Sequence, residues 1–331
     1  MAGDEPPPLS DSDPHQHQTL KPPSPLNQKI SAQKRGEDAA NEAMDKGGGS
    51  SESDSEEGGE SGGIWAQIKY EALQDAEAEP ALASYLYSTV LVHPTLERSL
   101  AFHLGNKLSS PLLLPSLLYD LFLGALSASS TLRAAARADL RAVRLRDPAC
   151  RSFNHCLLNY KGFLACQAHR AAHRLWSQGR HSLALALSSR VSEVFAVDIH
   201  PAARIGLAIL FDHATSVVIG ETAVVGDHVS ILHHVTLGGT GLEKGERHPK
   251  IGDGVLIGAG ATVLGNVSVG AGATMGAGSV VLTDVPPRTT AVGNPAKVVR
   301  GRDGAASRLN DVPGESMDHT SFISDWSDYV I

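Results

Sequence analysis

Six histidines, His200, His213, His228, His233, His234 and His248, fall between Val197 and Lys250. An imidazole is the side chain whose ordinary pKa lets it take and return a proton near neutrality. Two sequence contexts bear on His213: Asp-Ile-His-Pro at 198–201 and Asp-His-Ala-Thr at 212–215. If Asp198 and His213 meet, the carboxylate fixes one imidazole tautomer and leaves the other nitrogen to take a hydroxyl proton, the geometry of a general base. Their separation of 15 residues permits the pair without compelling it. An Asp and a His on two unrelated turns would satisfy the same spacing.

The elements that would carry these groups follow a six-residue step. Ile251, Ile257, Val263, Val269, Met275 and Val281 are each six apart, and glycine follows four of them. Ile199, Ile205, Phe211 and Val217 keep the same step, as do Ile219, Val225, Ile231 and Leu237 after a two-residue slip. No Phe, Tyr or Trp occurs between Asp212 and Ser321, and 18 of the 33 glycines lie between Val197 and Gly301. This pattern predicts a parallel β-helix in which each hexapeptide supplies one short strand and one turn, three to a coil. Its narrow core takes aliphatic side chains, and its turns take glycine where φ is positive or backbones approach. A flexible Gly-rich linker would hold no such register. A coil of eighteen residues would bring positions 198 and 213 onto neighbouring coils. The polar stretch GGTGLEKGERHPK between Leu237 and Ile251 cannot belong to the wall. It is expected as an extruded loop and hence as a binding element.

Upstream, Ile64 to Val194 is rich in Ala, Leu and Arg, with apolar residues at helical spacing such as Leu132, Ala136, Leu140 and Val143. Breaks at Pro80, Pro94, Pro111 and Asp147-Pro148 divide it into about six helices. Met1 to Gly63 holds 13 acidic against 5 basic residues, which accounts for the whole formal charge of -8. Its Pro, Ser, Gly and acidic composition predicts a disordered extension. The balanced remainder argues against nucleic-acid binding, which needs a basic surface. Cys150, Cys156 and Cys166 are odd in number and match no zinc spacing, so reduced thiols and no metal are expected. The apolar run Leu112 to Ala128 is interrupted by Pro115 and Asp120 and reads as a core helix, with no membrane span. The first residues resemble neither a signal nor a transit peptide, and a cytoplasmic location is expected. The expected organisation is therefore a disordered acidic extension (1–63), a helical domain (64–196), a β-helix (197–301) and a flexible tail with a partner-binding end (302–331). The tail ends in Phe322, Trp326, Tyr329 and Ile331 among acids, which reads either as a partner site or as a segment packing on its own helical domain.

The stretches DIHPAARIG, DHATSVVIGETAVVGDHVSILHHVTLGGTG, ERHPKIGDGVLIGAGATVLGN and VGNPAKVV resemble plant-type serine O-acetyltransferases of cysteine biosynthesis, over about Ile64 to Arg300. The hexapeptide step marks a broad group of transferases; DIHPAA, DHAT and RHPK together mark the serine enzymes. The resemblance implies an α+β fold, a helical N-terminal domain followed by a left-handed parallel β-helix. It also implies direct acetyl transfer from acetyl-CoA, the co-substrate, to the hydroxyl of L-serine without a metal. His213 matches the family's general base and Asp198 the carboxylate that orients it. Asp147 and Asp212 match the acids that receive the serine ammonium group, and Arg247 and His248 the pair that holds its carboxylate. Gly239, Ala259 and Ala277 fall where the family lines its pantetheine groove, and Lys297 near the nucleotide end. A zwitterion needs such an anionic end and a cationic end, and guanidinium suits a carboxylate. The family further implies trimers with active sites between subunits, paired through the helical domains into a homo-hexamer. It implies a C-terminal segment, here Trp326, Tyr329 and Ile331, that binds O-acetylserine (thiol) lyase; cysteine, shaped like serine, is expected to compete with it at the same pocket. Two other readings stay open: a hexapeptide acyltransferase for a different acceptor, and a non-catalytic scaffold for the lyase.

Overall fold

A computed structural model describes residues 57–241, 244–299 and 312–319. Eight α-helical segments precede the wall: α1 (Glu57–Ala78), α2 (Ala83–Leu86), α3 (Leu96–Lys107), α4 (Pro115–Ser127), α5 (Ser130–Arg146), α6 (Phe153–Asn159), α7 (Lys161–Ser177) and α8 (His181–Phe195). The count exceeds the expected six because proline is not the only punctuation. Thr95, Ser129 and Ser152 cap α3, α5 and α6, each accepting the backbone N–H three residues on, which supplies one of the donors a helix start leaves unpaired. Proline opens α4. The first helix runs back to Glu57, into the stretch read as disordered; residues 1–56 lie outside the described residues. No described helix is long and apolar enough to cross a membrane.

Beyond Phe195 the chain coils. The first sheet stacks β1 (Val197–Ile199), β4 (Val217–Ile219), β7 (Thr236–Gly238), β10 (Thr262–Leu264) and β13 (Val280–Val281). The second stacks β2 (Arg204–Ile205), β5 (Val224–Val225), β8 (Lys250–Ile251) and β11 (Ser268–Val269). The third stacks β3 (Leu210–Phe211), β6 (Ser230–Ile231), β9 (Leu256–Ile257), β12 (Thr274–Met275), β14 (Thr290–Gly293) and β15 (Ala296–Val299). Every pairing is parallel except the closing β14–β15 pair. The hexapeptide residues fill the core: of those read from the sequence only Ile205 is more than marginally exposed.

Coil length varies where the site lies. Ile199 pairs with Ile219, twenty residues on, and Ile219 with Leu237, eighteen on. Leu237 pairs with Val263, twenty-six on, because the polar loop is extruded between β7 and β8. The two extra residues of the first coil are the slip seen in the sequence, and they widen the turn at 212–216.

Helices α5 and α7 lie on β3, joined to the top coil by a buried ion pair. Asp139, 1% exposed, accepts from Arg170 Nη2 at 2.8 Å, Gln167 Nε2 at 2.8 Å and the Ile209 N–H at 2.9 Å. Arg170 in turn donates to the carbonyls of Ile205 and Gly206. His169 bonds the Ala203 carbonyl at 3.2 Å, and burial depresses its pKa to about 3. The three cysteines are free and buried.

Candidate active site

The edge where the third sheet turns into the first carries the acids and imidazoles. At the widened turn His213 and Ala214 both adopt left-handed backbone, φ 54° and 59°, followed by Ser216 at 59°. That conformation is unfavourable for residues with a Cβ. The turn is held from several sides. Asp212 N–H bonds Ile231 O at 2.9 Å, and Ser216 N–H bonds Ala196 O at 2.8 Å. The outcome is a His213 side chain 76% exposed, its Nε2 4.0 Å from Asp212 Oδ1. His233 stacks edge-on against it with ring centroids 5.9 Å apart, and the Nδ1 atoms of His233 and His234 are 2.8 Å from each other. The start of α7 abuts the same turn. Tyr160 donates its hydroxyl to Asp147 Oδ2 at 2.6 Å, Lys161 Nζ donates to Thr215 Oγ1 at 2.5 Å, and a Cβ on Gly162 would collide with Phe211 O. Burial, then the Asp147 bond, raises the Tyr160 pKa, keeping it a donor. The other Asp147 oxygen accepts the Ala149 N–H at 2.8 Å. Asp212 and His213 thus share one edge, and the start of α7 links Asp147 to it through Tyr160 and Lys161.

The opposite edge, where the first sheet turns into the second, is basic. The extruded loop ends in Arg247 and His248. Arg247 pairs with Glu221 at 2.5 Å, and its hydrogen bond and charge, outweighing burial, hold the Glu221 carboxyl below its ordinary pKa. His248 is 7% exposed; its Nδ1 accepts from the Thr222 N–H at 3.2 Å and faces Thr222 Oγ1 at 2.9 Å. That bonding assigns the proton of the neutral ring to Nε2. Burial, then the Arg247 charge, lowers the His248 pKa, so this ring is a neutral donor near pH 7. Gly220 makes room for it, since a Cβ there would collide with the imidazole. Among the described residues no group of three or more His, Cys, Asp or Glu is placed to hold a metal.

A wall of coiled hexapeptides with acids and an imidazole on one edge and a guanidinium on the next can be compared with known proteins. Residues 64–168 match the family model described as serine acetyltransferase, N-terminal, and residues 248–283 that of the bacterial transferase hexapeptide (six repeats). The chain is 71% identical over 272 residues to serine acetyltransferase 5 of Arabidopsis thaliana, spanning 82% of this chain and 87% of that one. This chain belongs to the serine acetyltransferase family. The soybean serine acetyltransferase complexed with serine superposes with a TM-score of 0.72 at 74% identity, over 72% of this chain and 99% of that one. A serine acetyltransferase in complex with CoA gives 0.69 at 48% identity, over 71% and 98%.

The family's other matched residues are distributed as follows. Asp198 faces outward from the middle of β1, beside Val218 in the ladder. It makes no ion pair or hydrogen bond with His213, whose carboxylate neighbour within 4.0 Å is Asp212. Its charge instead reaches His200, as do those of Glu221 and Arg247. Gly239 is exposed on the basic edge, its missing Cβ 3.6 Å from His248 Nε2. Ala259 and Ala277 stack on the imidazole edge in successive coils, Gly278 N–H bonding Ala259 O at 2.8 Å. Lys297 is exposed on β15, while Trp326, Tyr329 and Ile331 lie outside the described residues. Sequence reasoning missed Tyr160, Lys161, Thr215, Glu221 and Thr222. Glu221 and Thr222 were within reach, because they precede β5 as Arg247 and His248 precede β8, its partner strand. For Tyr160 and Lys161 the signal was an unusually poor helix start, and Thr215 carried none.

Proposed function

We infer that this chain transfers the acetyl group of acetyl-CoA to the hydroxyl of L-serine, giving O-acetyl-L-serine and CoA in cysteine biosynthesis. The observation that carries the reading is the imidazole of His213, held into solvent by a braced turn that also bears Asp212 and that the start of α7 joins to Asp147. Family membership supplies the substrates: the soybean relative was solved with serine and another family member with CoA.

The serine ammonium group binds at Asp147 and Asp212, and its carboxylate at Arg247 and His248, the latter donating from Nε2. His213 takes the hydroxyl proton as the oxygen attacks the thioester carbonyl carbon. The tetrahedral intermediate then expels CoA as thiolate, which recovers the proton from the imidazolium. General-base help of this kind is worth roughly a hundred- to ten-thousand-fold, with positioning supplying more. Asp198 is assigned to orienting the imidazole. The Ser216–Ala196 bond that lays the two segments side by side supports this, and it requires the ring to turn from Asp212 towards the first sheet. Gly239, Ala259, Ala277 and Lys297 are assigned to acetyl-CoA.

Three strand residues separate the two edges in one chain, about 10 Å at ~3.3 Å each. One amino acid spans only about 3.6 Å. The carboxylate clamp is therefore assigned to a second copy, its basic edge facing the imidazole edge of the first in a trimer, with a hexamer formed through the helical domains. The C-terminal segment is assigned to O-acetylserine (thiol) lyase, and the chain to the cytoplasm.

A thiol-release assay with a panel of acceptors tests the reading. L-serine is expected to be the preferred acceptor, and His213→Asn to lower kcat by roughly a hundred- to ten-thousand-fold in a folded protein. Preference for a sugar or another amino acid would favour a different acyltransferase, and lyase binding without turnover would favour the scaffold. Mixing His213→Asn with Arg247→Ala subunits is expected to restore activity that neither has alone; no recovery would return the site to a single chain.

A further inference from the structure

Helix α7 begins badly by every local rule. Its N-cap is Tyr160, which makes no side-chain cap bond; Ser, Thr, Asp or Asn would stabilise it by about 1 kcal/mol. Its first residue is Lys161, a cation where the helix dipole favours anions. Its second is Gly162, the poorest helix former apart from proline. A neighbouring helix in the same domain, α6, starts on a bonded Ser152, so the domain does not lack ordinary starts. Departures of this kind from local preference gather where a site needs them.

Each of the three residues makes a contact across the fold instead. Tyr160 donates to Asp147. Gly162 lets α7 come down on Phe211 and Ala214 where a side chain could not fit. Lys161, half-buried, places its ammonium on Thr215 Oγ1 and, among the described residues, forms no ion pair. Thr215 follows the two left-handed residues His213 and Ala214, and its own N–H closes back on His213 O at 2.8 Å. Two consecutive strained residues persist only where the surroundings over-determine them, and the Lys161–Thr215 bond is the side-chain brace on that turn.

We propose that Lys161 is a positioning residue for the transfer reaction, fixing the His213 turn through Thr215 while Tyr160, one residue earlier, fixes Asp147. The start of α7 thereby sets the distance between the group that receives the substrate ammonium and the imidazole that takes its proton. The proposal rests on the assignment of His213 as base. A displacement of about 1 Å at such a group costs on the order of a hundred-fold in rate.

The test uses Thr215→Val, which keeps shape and removes the hydroxyl, Thr215→Ser, which keeps it, Lys161→Met, and the Lys161→Met/Thr215→Val double variant, assayed beside His213→Asn. Thr215→Val and Lys161→Met are each expected to lower kcat roughly ten- to hundred-fold with KM for acetyl-CoA unchanged. The double variant should fall no further than either single, and Thr215→Ser should restore most of the rate. Wild-type kcat in Thr215→Val, or losses that multiply in the double variant, would overturn the proposal even if His213→Asn is inactive. Full activity in His213→Asn would instead remove the base assignment itself. Should Lys161→Met fail to fold, the Val and Ser variants at position 215 decide alone.

Discussion

The upper and lower coils of the wall solve one backbone problem with different residues. At the turns from the second sheet to the third, the left-handed position is Ala208 in the first coil and His228 in the second, then Gly254 and Gly272 in the next two, and Arg288 in the last. At the turns from the third to the first it is His234, then Gly260 and Gly278. The hydrogen bonds are the same, His228 to Leu207 O, Gly254 to Asp227 O, Gly272 to Asp253 O, so the geometry is common and only the residue changes. Glycine adopts this backbone freely, whereas a residue with a Cβ carries about 1 to 2 kcal/mol of strain. The middle coils take the unstrained choice, and the last turn returns to a side chain at Arg288. The upper coils, where the helices dock and the imidazoles stand, keep side chains at strained positions and draw support from outside the wall.

If that support is real, the largest loss should come from cutting it. Asp139→Ala leaves Arg170 buried without its carboxylate, and breaking such a pair costs about 3 to 5 kcal/mol. Urea unfolding should show a midpoint lowered accordingly, with hydrogen exchange faster at residues 204–211 than in the lower coils. An unchanged midpoint would mean that the first coil stands without the helices.

Acid should loosen the same joint. Burial holds His169 at a pKa of about 3 and His103 at about 4, against an ordinary 6.5. Both rings are neutral in the folded chain, so between pH 6.5 and those values the unfolded chain binds protons that the folded one does not. Stability is therefore full above 6.5 and falls as pH drops, by about 1.4 kcal/mol per pH unit for each histidine. His169→Gln, whose amide can still donate to Ala203 O, should lose about one such increment less per unit between pH 6 and 4. Equal slopes would show that His169 is not the group responsible.

Gly220 sharpens the contrast from the other side, because this upper-coil glycine has no positive φ and serves only to admit the His248 ring. Gly220→Ala should raise KM for serine about ten-fold, equivalent to about 1.4 kcal/mol, by displacing that ring, with little effect on the unfolding midpoint. A lowered midpoint with normal KM would make the residue structural.

Much of the fold was legible because a six-residue aliphatic step has one economical solution. The extruded loop showed as polar residues that cannot enter the core, and Arg247 and His248 with it. The relation of Asp198 to His213 was harder to read. A uniform eighteen-residue coil would set Asp198 beside position 216, three residues past His213, and the twenty-residue first coil sets it beside Val218, five past. The added residues sit in the turn that carries His213, so the deviation from the repeat marks the site as clearly as the repeat marks the wall. Tyr160–Asp147 and Lys161–Thr215 were not legible as pairs, since they depend on how α7 meets the wall, and that is fixed by close approach at Gly162.

The smallest expected effect is the most direct test of the difference between coils. Gly278 has open space around it, φ 66° and nothing within 4 Å of an added Cβ, so Gly278→Ala should cost about 1 kcal/mol from backbone strain alone. That lowers the melting temperature by about 2 to 4 °C in a chain of this size. Ala208→Gly in the upper series relieves similar strain, φ 56°, but frees the unfolded chain by about 0.4 to 1 kcal/mol and loses a buried methyl. The two changes nearly cancel, so Ala208→Gly should leave the melting temperature almost unmoved. A matching loss in both variants would show that Ala208 sits in its left-handed turn without strain, and that upper and lower coils differ in chemistry but not in backbone energy.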